Sequence, residues 1–226
     1  MSDYLLVHGG FGIGWVWDDL AARLECAGHR VHVVDQLPSV GTDPASLGDL
    51  TADKRYVLPM LDAMDEPAVL VGHSYGGMVI TELADHPNVR HSVYVTALWP
   101  ERGQSAANLF GDVLPPVIKR RDDGALEVTT KFDLAWKSFC PDLDRDRALK
   151  VVSRLVLQSD SSFCAPSTAP VRTHPTTYVI AEGESDDSVT AQEATAAKAD
   201  HVVRLPGAHM VQLSRPDELA EALRRI

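Results

Sequence analysis

Ser74 stands in the run Gly72-His73-Ser74-Tyr75-Gly76-Gly77, directly after the apolar stretch Ala68-Val69-Leu70-Val71. Gly-x-Ser-x-Gly between a strand and a helix describes a sharp turn whose flanking glycines leave room for the serine hydroxyl to stand clear of the backbone. The apolar run before it and the amphipathic Met78-Val79-Ile80-Thr81-Glu82-Leu83-Ala84 after it supply that context. A hydroxyl is a poor nucleophile near neutral pH and needs a base within hydrogen-bond reach. Among nine histidines, His209 in Leu205-Pro206-Gly207-Ala208-His209-Met210 is the one expected to serve, since it follows the last predicted strand and precedes the final helix.

A carboxylate is then needed to hold the imidazole in one tautomer and to stabilise its protonated form. The loop Glu182-Gly183-Glu184-Ser185-Asp186-Asp187 offers four acids after the strand ending at Ala181. Asp186 is the expected partner, with Val189 packing beneath it; Asp187 stays open, and Glu182 and Glu184 rank behind both. A tetrahedral oxyanion also needs two backbone N–H donors aimed at one point. Gly10, in the glycine-rich Val7-His8-Gly9-Gly10-Phe11-Gly12, and Tyr75, next to the serine, are the expected pair. The glycines of that run are not spaced as Gly-x-Gly-x-x-Gly, so a dinucleotide site is not expected, and no other cofactor or metal is called for.

Short apolar strands alternate with helical patterns, the mark of an α/β fold whose mostly parallel sheet carries helices on both faces. Strands are expected at 4–8, 31–35, 68–72, 91–98, 178–181 and 201–205. Helices are expected at 17–27, ended by Gly28, at 47–64 with an interruption near Pro59, and at 216–226. Residues from about 100 to 174 differ, with several prolines and the aromatics Phe110, Phe132, Trp136, Phe139 and Phe163. They read as a lid insertion over the strand ends, where open α/β sheets bind ligands. The whole of 1–226 is expected to form one domain.

Composition narrows the partners. The 226 residues carry 21 Lys plus Arg against 32 Asp plus Glu, a formal charge of −11, with no basic stretch interleaved with aromatics. Nucleic acid is therefore not an expected partner. No apolar run approaches the roughly 20 residues that span a membrane, so a cytoplasmic protein acting on a small molecule is expected, with a homodimer left open. Cys26, Cys140 and Cys164 are odd in number and lack the spacing of a disulfide framework or zinc site.

The motifs Val7-His8-Gly9-Gly10 with Gly14-Trp15-Val16-Trp17, Ala27-Gly28-His29-Arg30-Val31, Gly72-His73-Ser74-Tyr75-Gly76-Gly77 and Gly207-Ala208-His209-Met210 together resemble the α/β-hydrolase superfamily. The likeness covers essentially the whole chain. More narrowly, the chain is similar to the branch with plant-type methyl esterases, hydroxynitrile lyases and their bacterial relatives. The order Ser74, Asp186, His209 is the order of that architecture. Hydroxynitrile lyases of this type place a threonine after the first histidine and a lysine after the catalytic one; here those positions are Gly9 and Met210. The resemblance thus implies cofactor-independent hydrolysis of a small to medium carboxylic ester through an acyl-enzyme. Phe11, Tyr75, Trp99, Phe110, Trp136 and Met210 are expected to line its pocket.

Three alternatives carry their own marks. In a lyase or cyclase, the histidine acts on a carbon acid and Ser74→Ala keeps activity. A carrier-bound thioesterase needs a basic entrance, for which Lys119, Arg120 and Arg121 are the candidates. A ligand-binding receptor retaining the triad would shift in melting temperature with ligand and release no product.

Overall fold

The structure, a computed structural model, describes residues 1–226. The chain opens with strand β1 (Asp3–Val7), helix α1 (Asp18–Cys26) and β2 (Arg30–Val33), then a two-residue strand β3 (Val40–Gly41) and helix α2 (Leu50–Asp62). Strand β4 (Ala68–His73), helix α3 (Gly76–Glu82) and strand β5 (Val89–Val95) complete the first half. A long excursion follows: α4 (Ala106–Leu109), β6 (Ile118–Arg120), β7 (Ala125–Val128), α5 (Phe132–Phe139), α6 (Arg145–Val152), β8 (Leu157–Ser159) and α7 (Asp160–Cys164). The chain then returns through β9 (Thr176–Ala181), α8 (Asp186–Ala196), β10 (His201–Leu205), α9 (Val211–Ser214) and α10 (Pro216–Arg224).

Six strands form one parallel sheet in the order β10-β9-β5-β4-β1-β2. Its central strands are apolar on both faces because both are covered. Leu5, Val7 and Leu70 pack into the core on one side, while Tyr4, Leu6, Val69 and Val71 pack into the core on the other. Each fully buried Leu or Val contributes roughly 1.5–3 kcal/mol of transfer free energy, which holds the strand ends in fixed positions. After β1 the chain moves outward to β2 and then crosses to the opposite side of β1 with β4. This reversal makes the carboxyl ends of β1 and β4 the switch point at which open sheets form crevices.

Two features differ from the sequence expectation. Helix α2 runs through Pro59 unbroken. Proline removes a single N–H here, within one turn of the helix end, and the buried Val57 and Leu61 on either side keep the register. The excursion also builds a second, antiparallel sheet, β3-β8-β7-β6, in which β3 from the first half pairs with β8.

Candidate active site

Ser74 directly follows β4 and adopts φ +50°, a left-handed conformation that a side chain-bearing residue occupies only when its surroundings enforce it. Gly76 is part of that enforcement. A Cβ there would lie 2.6 Å from the Val7 carbonyl oxygen and 2.7 Å from that of His8, so only glycine lets the start of α3 press against the end of β1. The Gly9 backbone comes equally near: a Cβ on it would sit 2.9 Å from Ser74 Cβ. The Gly9-Gly10 loop and the serine thus share one small space at the switch point.

His209 lies between β10 and α9, with Nε2 3.0 Å from Ser74 Oγ. Its carbonyl accepts hydrogen bonds from His73 Nε2 at 2.8 Å and Thr96 Oγ1 at 3.1 Å, which fix the backbone of the loop. His73 is fully enclosed, and burial holds its pKa well below the ordinary histidine value, so the ring is neutral and donates from Nε2. On the other side of the His209 loop, the Ala208 N–H donates to Asp142 Oδ2 at 2.9 Å and the Met210 N–H to the Phe139 carbonyl at 3.1 Å. These bonds tie the loop to the end of α5 and the segment that follows it.

The acid that meets His209 Nδ1 is Glu184, with Oε1 at 3.2 Å, and not Asp186. The reason is local. Ser185 is the N-cap of α8, its hydroxyl accepting the Ser188 N–H, so Asp186 and Asp187 already occupy the exposed first turn. There they complement the helix dipole. An acid that reaches the imidazole must precede the cap. The Glu184 loop is also fastened to the histidine loop, through Glu182 N–H to the Leu205 carbonyl at 2.9 Å and Gly183 N–H to the Gly207 carbonyl at 2.8 Å. The sequence signal for this assignment was Ser185-Asp186-Asp187-Ser188, a helix start in which acids at the first two positions have a structural role.

Gly10 and Tyr75 both border the site, and neither N–H donates a hydrogen bond within the protein. His8, behind them, donates from Nδ1 to the Gly9 carbonyl at 2.8 Å and accepts the Leu37 N–H at Nε2 at 3.0 Å. Burial brings its pKa down to about 4, and the neutral ring braces the loop.

Ser74, His209 and Glu184 stand in the wall of a cavity of about 490 Å³. Phe11, Phe110 and Met210 line it as expected, joined by Phe139 and Phe163. Trp99 and Trp136 do not. Trp99 stacks on Tyr94 at 4.0 Å between centroids, with the Arg172 guanidinium 4.8 Å from its ring, and is a core residue. Trp136 turns away: of α5, Leu134, Lys137, Ser138 and Phe139 line the cavity, and Leu134 and Ser138 lie two residues on either side of Trp136, a rotation of about 200° along a helix. Its indole N–H donates to the Leu143 carbonyl at 3.1 Å. Arg120 and Arg121 offer no free basic entrance: the first is paired with Asp160 at 2.8 Å, the second with Asp123 at 2.7 Å and Glu127 at 3.1 Å.

A sequence model of the alpha/beta hydrolase family matches residues 4–222. The chain belongs to this family. Among alpha/beta hydrolases it is 32% identical, over 240 aligned residues, to a "carbendazim hydrolyzing esterase" of Nocardioides sp. (strain SG-4G), covering 99% of this chain and 98% of that one. It is 35% identical to the polyneuridine aldehyde esterase of Rauvolfia serpentina over 114 residues, which are 47% of this chain and 43% of that protein. Of solved hydrolase structures, a pyrethroid hydrolase from Sphingobium faniae JZ-2 superposes with a TM-score of 0.80 at 26% identity, over 99% of this chain and 96% of that one. No helix of this alpha/beta hydrolase is long and apolar enough to cross a membrane.

Proposed function

We propose that the protein is a carboxylic ester hydrolase in which Ser74 is the nucleophile, His209 the general base and acid, and Glu184 the orienting acid. The observation that carries this reading is the relay Glu184 Oε1, His209 Nδ1, His209 Nε2, Ser74 Oγ, continuous at 3.2 and 3.0 Å in the wall of a largely apolar cavity. His209 accepts the hydroxyl proton as Ser74 Oγ attacks the carbonyl carbon. The oxyanion that forms is bound by the free N–H groups of Gly10 and Tyr75. His209 then protonates the departing alcohol, and an acyl-enzyme remains. Water, deprotonated by the same nitrogen, releases the acid product.

The relatives support the chemistry through their names, those of esterases and a hydrolase. The excursion between β5 and β9 acts as the lid, and its Phe110 and Phe163, stacked at 5.7 Å, favour an apolar substrate of small to medium size. The three unpaired cysteines fit a reducing, cytoplasmic setting. The test is hydrolysis of p-nitrophenyl esters from acetate to octanoate by wild type and Ser74→Ala. Turnover that vanishes in the variant, with Ser74 labelled by a fluorophosphonate in wild type, is the expected result. Activity retained without Ser74 would instead point to general-base chemistry by His209 alone.

A further inference from the structure

Behind the cavity wall runs a chain of polar side chains that the relay does not use. Tyr75 donates its hydroxyl to Asp53 Oδ2 at 2.9 Å, and the other oxygen of Asp53 accepts the Ser39 N–H at 2.8 Å. Ser39 Oγ accepts from Gln158 Nε2 at 3.3 Å, and the same amide donates to Ser162 Oγ at 2.5 Å. Tyr75 is 1% exposed, and Asp53, Ser39, Gln158 and Ser162 are not exposed at all. The remaining amide atom, Gln158 Oε1, is buried with no hydrogen-bond partner and lies against Gly10, where a Cβ would approach to 2.9 Å. The chain therefore ends on the same two residues, Tyr75 and Gly10, whose N–H groups face the oxyanion.

Such a network is costly to bury. Desolvation raises the Asp53 carboxyl to about 6, and an unsatisfied amide oxygen forfeits its hydration. An apolar core would fill the space at lower cost, yet it could not fix two backbone segments from different strands to a few tenths of an ångström. We propose that Asp53, Ser39 and Gln158 are positioning residues: they hold the Tyr75 and Gly10 N–H groups in the geometry of the tetrahedral intermediate. Because Gln158 belongs to β8 of the second sheet, the seating of the lid sets the oxyanion hole. This inference rests on the ester hydrolase reading.

Tyr75→Phe, Ser39→Ala and Gln158→Met test it, the first two each removing a single oxygen so that folding is preserved. Each variant is measured for kcat and KM on a p-nitrophenyl ester, for inhibition by an aryl trifluoromethyl ketone, and for Tm. The ketone forms a tetrahedral adduct with the serine and needs the oxyanion donors; ground-state substrate needs them far less. Misplaced donors should lower kcat about tenfold to a hundredfold, with KM within about twofold, and weaken the ketone by the same factor as kcat/KM falls. Variants with lowered Tm but unchanged kcat and ketone inhibition would reduce the network to a structural element and overturn the inference, while Ser74-dependent hydrolysis in wild type would still stand. Hydrolysis that persists in Ser74→Ala would remove the reading on which both depend.

Discussion

A glutamate is one methylene longer than an aspartate, and at position 184 that length lets a carboxylate placed before the cap of α8 reach the imidazole at 3.2 Å. In the proposed mechanism, Glu184→Gln keeps the shape but removes the charge that would stabilise protonated His209 and the acceptor that would fix its tautomer. A fall in kcat on the order of 10³–10⁴ is expected, by analogy with the amide substitution in serine proteases. Asp186→Asn should stay within about twofold of wild type and lose only the few tenths of a kcal/mol that a helix N-terminal charge contributes. Steady-state kinetics of the two variants side by side decide between the acids; the reverse ranking would restore Asp186. That Ser74 and His209 meet, at 3.0 Å, was legible in the sequence because each is marked by its own neighbours, glycines in one case and a strand-to-turn boundary in the other. The acid was not, since four carboxylates share one short loop and only the capping pattern of Ser185 separates them.

The turn from β4 into α3 concentrates the constraints at the level of elements. Ser74 at φ +50°, with Gly76 against the carbonyls of Val7 and His8, means that a side chain at 76 must either push β1 aside or unwind the first turn of α3. Both β1 and α3 are buried throughout, so neither can yield at low cost. Gly76→Val should lower Tm by several degrees or prevent soluble expression, and activity should go with it; a stable, fully active variant would contradict the geometry. The parallel sheet was readable from its apolar runs, with strand ends matching or off by at most three residues. The second sheet was not. Its strands are two to four residues long, too short for a periodicity to register, and β3 finds β8 from a distant part of the sequence. The pocket aromatics suffered similarly: which face of α5 meets the cavity depends on how α5 docks, so composition alone could not separate Trp136 from Phe139.

Over the whole molecule, several histidines are buried in the neutral form, and this sets the response to acid. Burial, the main cause in each case, brings His8, His91 and His174 down to about 4, and it holds His73 low as well. Above pH 6.5 these groups are neutral in both states and contribute nothing. Below it the unfolded chain takes up protons that the folded chain refuses until about pH 4, so stability falls through that window; His8 alone accounts for about 3 kcal/mol. Asp53, raised to about 6 chiefly by burial, acts in the opposite sense, because between pH 6 and 4 the folded state binds its proton more tightly than the unfolded chain. One acid offsets one histidine and leaves the others. Tm followed by calorimetry should therefore be highest near neutral pH and drop between pH 6.5 and 4.5; a flat profile would show that these rings are solvated.

The two bonds from Ala208 and Met210 to Asp142 and Phe139 carry a consequence for engineering. In the proposed hydrolase the roof of the cavity and the general base are fastened together, so a lid transplanted from a relative would bring its own clasp for the imidazole. Chimaeras cut at β5 and β9 would exchange selectivity and turnover at the same time. A graft that stops short of residue 139 leaves the original clasp in place and is the cleaner way to change what the chamber admits.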